Sequence, residues 1–151
     1  MKTLILLFSS LLITSCQSQQ KNEMALNKDG INMNSPQYFV GTWRFVEKNY
    51  GLNSEKAYQL HECMKLYTWV FEFENEKFYL TKNFAGGKDC AQKSSSKRNI
   101  VRIDSNTLTY FSGDHKKIEK VNILSPNRFS ITSRGIIDGS VQPIEDIYER
   151  Q

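Results

Sequence analysis

His61-Glu62-Cys63 is the one run in this chain that sets three metal-competent side chains next to each other. On an extended backbone adjacent side chains point to opposite faces, so the three cannot converge on one ion, and no second cluster completes a site. Asp114-His115 falls in an expected hairpin loop, where the aspartate supports the turn and the histidine faces water. With two histidines in all, and neither Gly-x-Ser-x-Gly nor His-Glu-x-x-His, no acid, base and nucleophile can be named. Gly86-Gly87-Lys88 lacks the first glycine of a phosphate loop, and Asp89 stands where that loop needs Ser or Thr. No catalytic residue, metal ligand set or cofactor is therefore assigned, and the expectation is a protein that is not an enzyme. Lys93 to Arg98, with three serines between the charges, has two readings: a solvated loop, or a patch meeting anionic headgroups at about 1 kcal/mol per charge.

The remaining chemistry is aromatic. Tyr67, Trp69, Phe71 and Phe73 occupy alternate positions, and Phe78 and Leu80 resume after Asn75-Glu76, which is a β-hairpin with one apolar face. A two-residue loop there pairs Glu74 with Lys77, Phe73 with Phe78 and Phe71 with Leu80. Trp43, Phe45 and Tyr110 join the same inward set. Two uses of this face stay open: its side chains fill a core, or those toward an open end (Tyr67, Trp69, Phe71, Leu80 and Tyr110) line a pocket for a small hydrophobic molecule. Tyr67 and Trp69 carry polar tips that could orient a guest.

The elements that must hold these residues are strands. Gly41 to Lys48 reads as the first, with a polar connection over 49–62, and the hairpin supplies the second and third over about 64–74 and 77–84. After a loop over 85–96, the fourth and fifth run from Arg98 to Asp104 and from Thr107 to Ser112. The Ser105-Asn106 turn then pairs Ile103 with Leu108 and Val101 with Tyr110. Keeping Val121 in phase with Leu108 calls for a four-residue loop at 113–116, and a three-residue loop at 125–127 sets Ile123 against Phe129. Residues 135–143 read as a long connection, and 144–150 as a last strand whose inward residue is either Ile147 or Tyr148. Eight sequential strands without an amphipathic helix suggest an all-β, up-and-down antiparallel barrel that closes to remove its edges. An open sheet folded into a sandwich is the competing architecture.

Composition agrees with one packed domain: 151 residues, 39% hydrophobic and 12% aromatic. The net charge of +4 comes from 20 basic and 16 acidic side chains scattered along the chain, which argues against a nucleic-acid partner.

Residues 1–15 read as a targeting segment, with Lys2 ahead of an apolar run from Leu4 to Ile13 that is too short to span a bilayer. Ile13-Thr14-Ser15-Cys16 resembles the lipobox of bacterial lipoproteins; the other reading is an ordinary secretory signal ending near a cysteine. The resemblance implies cleavage before Cys16, a palmitate-type acyl anchor on that residue and export to the cell envelope. Gln17, where an acidic residue would favour inner-membrane retention, implies an outer-membrane protein facing the periplasm or the cell surface. Residues 16–37 then form a flexible tether reaching about 25 Å from the bilayer, and residues 38–151 the folded domain. With Cys16 lipidated, Cys63 and Cys90 remain as a pair for a disulfide in an oxidising compartment, the alternative being free thiols or metal ligands.

Gly41-Thr42-Trp43 at the start of the first strand resembles the Gly-x-Trp motif of lipocalins, and Arg150 stands where that family has an arginine over the tryptophan. Together with the lipobox, the eight strands and the closing Tyr148-Glu149-Arg150, the chain is similar to small lipocalin-like domains of bacterial lipoproteins. The resemblance implies that Trp43 and Arg150 plug one barrel end through a cation–π contact. It also implies a carrier of a small hydrophobic ligand. An envelope interaction module of inhibitor or immunity type, meeting a protein through loops 49–62 and 85–96, is the alternative.

Overall fold

The computed structural model describes Met33 and residues 35–151. The expected signal peptide (1–15), the lipid-bearing Cys16 and nearly all of the tether lie outside the described residues. Ten strands are described: β1 (Gly41–Tyr50), β2 (Lys56–Ala57), β3 (Thr68–Glu74), β4 (Lys77–Gly86), β5 (Gln92–Ser95), β6 (Asn99–Asp104), β7 (Thr107–Ser112), β8 (His115–Ser125), β9 (Arg128–Ile137) and β10 (Ser140–Arg150). Eight of them form an antiparallel meander that closes when β10 pairs with β1, from Trp43 opposite Arg150 to Tyr50 opposite Ile144. Closure removes the edges that a sandwich would leave. β2 and β5 are short strands hung on β1 and β4 within the stretches read as a polar connection and a loop.

The hairpin registers follow from the apolar alternation. Phe71 faces Leu80 and Phe73 faces Phe78 across a turn in which Asn75 and Glu76 both have positive φ, as a two-residue hairpin loop requires. Ile103 faces Leu108, Val101 faces Tyr110, and Ile123 faces Phe129.

Elsewhere the structure corrects the reading. Ser112 pairs with His115, so the loop before β8 is the two-residue Gly113-Asp114 turn, not four residues. A shift of two keeps the alternation phase intact, which is why the pattern could not tell the two loops apart. Residues 135–143 are no long connection: Ile137 pairs with Ser140 across an Asp138-Gly139 turn, and β9 and β10 continue to that tip. β3 begins at Thr68, because residues Glu62–Leu66 wind into a 3₁₀ turn. Phe73 is 48% exposed, since it sits beyond the filled end of the barrel, where its ring packs on Phe78 at 4.6 Å.

One end of the barrel is solid. The Pro36–Phe39 3₁₀ turn lies across it, and the Tyr38 hydroxyl bonds the carbonyls of Ser125 (2.8 Å) and Arg128 (2.9 Å). Met33 also packs there. Phe39, Trp43, Phe71, Leu80, Leu108 and Phe129 are all but fully buried, each worth about 1.5–3 kcal/mol of transfer free energy. Arg150 closes this end. Its guanidinium lies 4.2 Å from the Trp43 ring centre and donates to the carbonyls of Tyr38 and Val40, while Trp43 Nε1 donates to Phe39 at 2.6 Å. Gly41 is the motif glycine because its φ is +125° and a Cβ there would stand 3.1 Å from Arg150 Nη1.

Candidate functional site

The opposite end is open. Inward positions continue along each strand past the packed layer, and here the same alternation that buried Leu80, Val121 and Tyr148 brings in Lys82, Glu119 and Asp146. Lys48 arrives differently. In β1 the register shifts between Phe45 and Glu47, so the inward sequence Trp43, Phe45 continues at Lys48 rather than Glu47. Glu47 is left to pair with Arg128 at 3.3 Å.

These side chains surround a cavity of about 280 Å³ whose lining includes Phe45, Tyr67, Trp69, Phe84 and Tyr148 as aromatic walls and Lys48, Lys82, Glu119 and Asp146 as charged ones. Its rings form a continuous set: Tyr67 meets Phe45 at 6.5 Å and Phe84 at 5.3 Å, and Tyr148 meets Phe45 at 5.5 Å and Trp69 at 4.8 Å. The charges are spent on one another. Lys48 Nζ reaches Asp146 Oδ1 at 2.5 Å, and Lys82 Nζ lies 3.7 Å from Glu119 Oε1.

Lys82 is the most constrained of the four. Its ammonium stands 3.8 Å from the Trp69 ring centre and 4.5 Å from that of Tyr110, and it donates to the Tyr110 hydroxyl. Tyr110 in turn donates to Glu119 Oε1 at 2.6 Å. Burial holds the Lys82 pKa below the ordinary lysine value, with the Glu119 carboxylate opposing that shift. Burial pushes the Tyr110 phenol above its usual range, and its bond to the Glu119 carboxylate adds to the rise. Glu119 Oε2 is shut inside the wall and, among the described residues, has no hydrogen-bond partner.

The rim is clamped by a disulfide between Cys63 and Cys90. It ties the Glu62–Leu66 turn, which carries the lining residue Met64, to the Lys88–Cys90 turn after β4. His61 caps the first of these turns, its Nδ1 accepting the Cys63 N–H at 3.2 Å. The three-residue run His61-Glu62-Cys63 is thus a cap, an exposed acid paired with Lys65, and a bridged cysteine. Gly87, at φ +74°, opens the second turn, and Gly86-Gly87-Lys88 has no helix beyond that turn. Arg98 pairs with Glu72 and Glu74 and stacks on Tyr79, and Lys93, Lys97 and Arg98 are all exposed. Among the described residues no group of three or more His, Cys, Asp or Glu side chains could hold a metal ion.

Of the residues read from the sequence as pocket-lining, Tyr67 and Trp69 face the cavity, and Tyr110 stands behind Lys82. Phe71 and Leu80 lie buried in the solid end, outside the lining of this cavity. Lys48, Lys82, Glu119, Asp146 and Tyr148 were missed as lining residues. For three of them the signal was present as alternation with Leu80, Val121 and Tyr148, and a search for apolar partners passed over it. A larger depression of about 640 Å³, beside the Ser105-Asn106 turn, is bounded by Val121, Asn122 and Ile123 as well and has no aromatic wall.

A family model of the lipocalin-like domain matches residues 39–131, more than half of the chain. The chain belongs to the lipocalin-like domain family. In this lipocalin-like domain the matched segment runs from the plug residue Phe39 to Ile131 in the cavity wall. No curated protein matches the sequence. Among solved structures, lobster apocrustacyanin A1 is similar at 11% identity and a TM-score of 0.47, over 78% of this chain and 63% of that one. The lipocalin-like chain thus spans less than two thirds of that protein's length. Bovine odorant binding protein complexed with its natural ligand is similar at 13% identity and a TM-score of 0.44, over 78% of this chain and 74% of its own.

Proposed function

We propose that this lipocalin-like protein is a lipid-anchored component of the cell envelope that binds or carries a small hydrophobic molecule at the open end of its barrel, and is not an enzyme. The observation that carries the reading is the cavity of about 280 Å³ with five aromatic side chains in its wall. That volume is just under the usual range for drug-sized ligands, about 300–1,000 Å³, so the guest is a compact one and not a long acyl chain. Binding is favoured over catalysis because each of the four charges of the wall faces an ion-pair partner and the rest of the lining is mostly aromatic.

The anchor and the outer-membrane address rest on Ile13-Thr14-Ser15-Cys16 and on Gln17. Native mass spectrometry of the protein isolated from its own host should reveal a copurified small molecule that is lost when the cavity is filled by Ser133→Phe. A bare protein under every condition of growth would end the carrier reading. Cys16→Ala should move the protein to the soluble fraction, and its persistence in membranes would refute the anchor.

A second reading has its own observation. Leu52 is 73% exposed and Tyr58 42% exposed within the stretch 49–62, one of the two loops through which an interaction module of inhibitor or immunity type would meet a protein partner.

A further inference from the structure

We infer that the cavity selects an uncharged aromatic molecule of one or two rings, and that the Lys82–Glu119 pair, by cancelling its own charges, leaves a charged guest no free partner in the wall. The inference rests on the proposed binding function and names its ligand class. Three observations on the wall lead to it.

The first is size. At about 30 Å³ for each liquid water, a space of about 280 Å³ displaces about nine waters, which suits one or two fused rings. The second is surface. Phe45, Tyr67, Trp69, Phe84 and Tyr148 present ring faces and edges from four different strands and the rim, so a flat guest can be stacked and edged at once.

The third is charge. The lining carries two cations and two anions, and each cation already has its anion: Lys48 with Asp146 at 2.5 Å, Lys82 with Glu119 at 3.7 Å. A charged guest would therefore enter a site of zero net charge. It would leave its own water behind and gain only what it could take from an existing pair. Lys82 is the harder pair to disturb for an anion, because Trp69 and Tyr110 hold the ammonium by their ring faces and the Tyr110 hydroxyl accepts from it. For a cation, Glu119 Oε1 is occupied by Tyr110, and Oε2 is enclosed in the wall.

Removing one partner should convert the neutral site into a charged one. Glu119→Gln keeps the shape and an acceptor for Tyr110 but frees the Lys82 ammonium for an anionic guest. Lys82→Met keeps most of the side-chain length and removes the cation paired with Glu119, so the wall gains a net negative charge for a cationic one.

The test is calorimetric titration of the full chain at pH 7 with indole, indole-3-carboxylate and tryptamine, which share a ring system and differ in charge. The wild type should bind indole at least about tenfold more tightly than either charged relative. Glu119→Gln should raise the affinity for indole-3-carboxylate relative to indole by about tenfold, and Lys82→Met should do the same for tryptamine. If the wild type binds a charged relative as well as indole, the charge selection is wrong and the carrier reading stands. If none of the three binds at millimolar concentration, the aromatic ligand class is wrong, and the carrier reading is then decided by whether the protein from its own host carries a small molecule. Near-UV circular dichroism checks that each variant is folded, and folded variants with wild-type ratios would overturn the role of the pair. Should either fail to fold, the double variant Lys82→Met with Glu119→Leu, which is again uncharged, must keep the preference for indole.

Discussion

Lys82 Nζ stands 3.8 Å from the centre of the Trp69 ring, with the carboxylate of Glu119 as its ion-pair partner 3.7 Å away. Cation, ring and anion thus form one unit in a wall that also holds the Lys48–Asp146 pair, and both charged side chains are about four-fifths buried. Lys82→Met alone should cost about 2 kcal/mol, less than a fully buried pair because water still reaches part of it, since it strands the carboxylate. Adding Glu119→Leu should recover most of that loss. Urea unfolding of the two single variants and the double variant gives the coupling, which should be about 1–2 kcal/mol.

Arg150 should matter more for stability than any other cation of the closed end. Arg150→Ala removes the contact with the Trp43 ring and two bonds to the carbonyls of Tyr38 and Val40, a loss of about 3 kcal/mol. Lysine at 150 should recover less than half, because a point charge cannot serve both carbonyls and the ring together. Midpoints of chemical unfolding measure both.

Gly41→Ala should destabilise by about 1–3 kcal/mol, although it adds one methyl. The cause is the backbone at φ +125° together with the approach of Arg150 Nη1. Thermal unfolding should show a lower midpoint for this variant, whereas Gly113→Ala, at φ +60° in an open turn with nothing near the new methyl, should cost only about 1 kcal/mol.

The Cys63–Cys90 bridge encloses 27 residues of sequence separation, so reducing it should cost about 3.5 kcal/mol on the loop-closure account. Because Met64 and Tyr67 follow Cys63 into the cavity lining, reduction should also weaken ligand binding while the solid end stays folded. Calorimetry with and without dithiothreitol, alongside near-UV circular dichroism, separates these effects.

Alkaline pH should unfold the protein in a defined direction. Burial raises the pKa of Tyr38, Tyr110 and Tyr148 above the free value of 10.0. In the unfolded chain these phenols ionise near pH 10 while in the fold they keep their protons, so their contribution is complete below pH 10 and is lost as pH rises beyond it. Each contributes a slope of about 1.4 kcal/mol per pH unit. Lys82 acts in the opposite sense: its folded pKa is lowered, so the unfolded state holds the extra proton and stability gains between that folded value and 10.5. Three tyrosines outweigh one lysine above pH 10. Urea midpoints measured from pH 8 to pH 12 should therefore fall steeply past pH 10.

The solid end was legible from residue types because its code is redundant: Phe71 and Leu80, Val101 and Tyr110, Ile123 and Phe129 are apolar partners that fix one another's register. The β9–β10 hairpin was not, since Gly135 and Pro143 suggest breaks, yet Pro143 pairs with Arg134 on the last strand without interrupting it. At the cavity the failure was one of expectation. Lys82 and Glu119 fit the alternation but not the assumption that inward means apolar, and Lys48 could not be found by alternation at all, because the register shift in β1 reverses the phase just before it.

The pairing of Trp43 with Arg150 also fixes when this protein can exist as a folded object. Each hairpin of the meander joins neighbours and can form within microseconds, but the seam joins the first long strand to the last. Its closure entropy must be met before any of its contacts form, which places such topologies among the slow folders. The barrel therefore cannot close until β10 is available to β1, and until then the sheet keeps two bare edges.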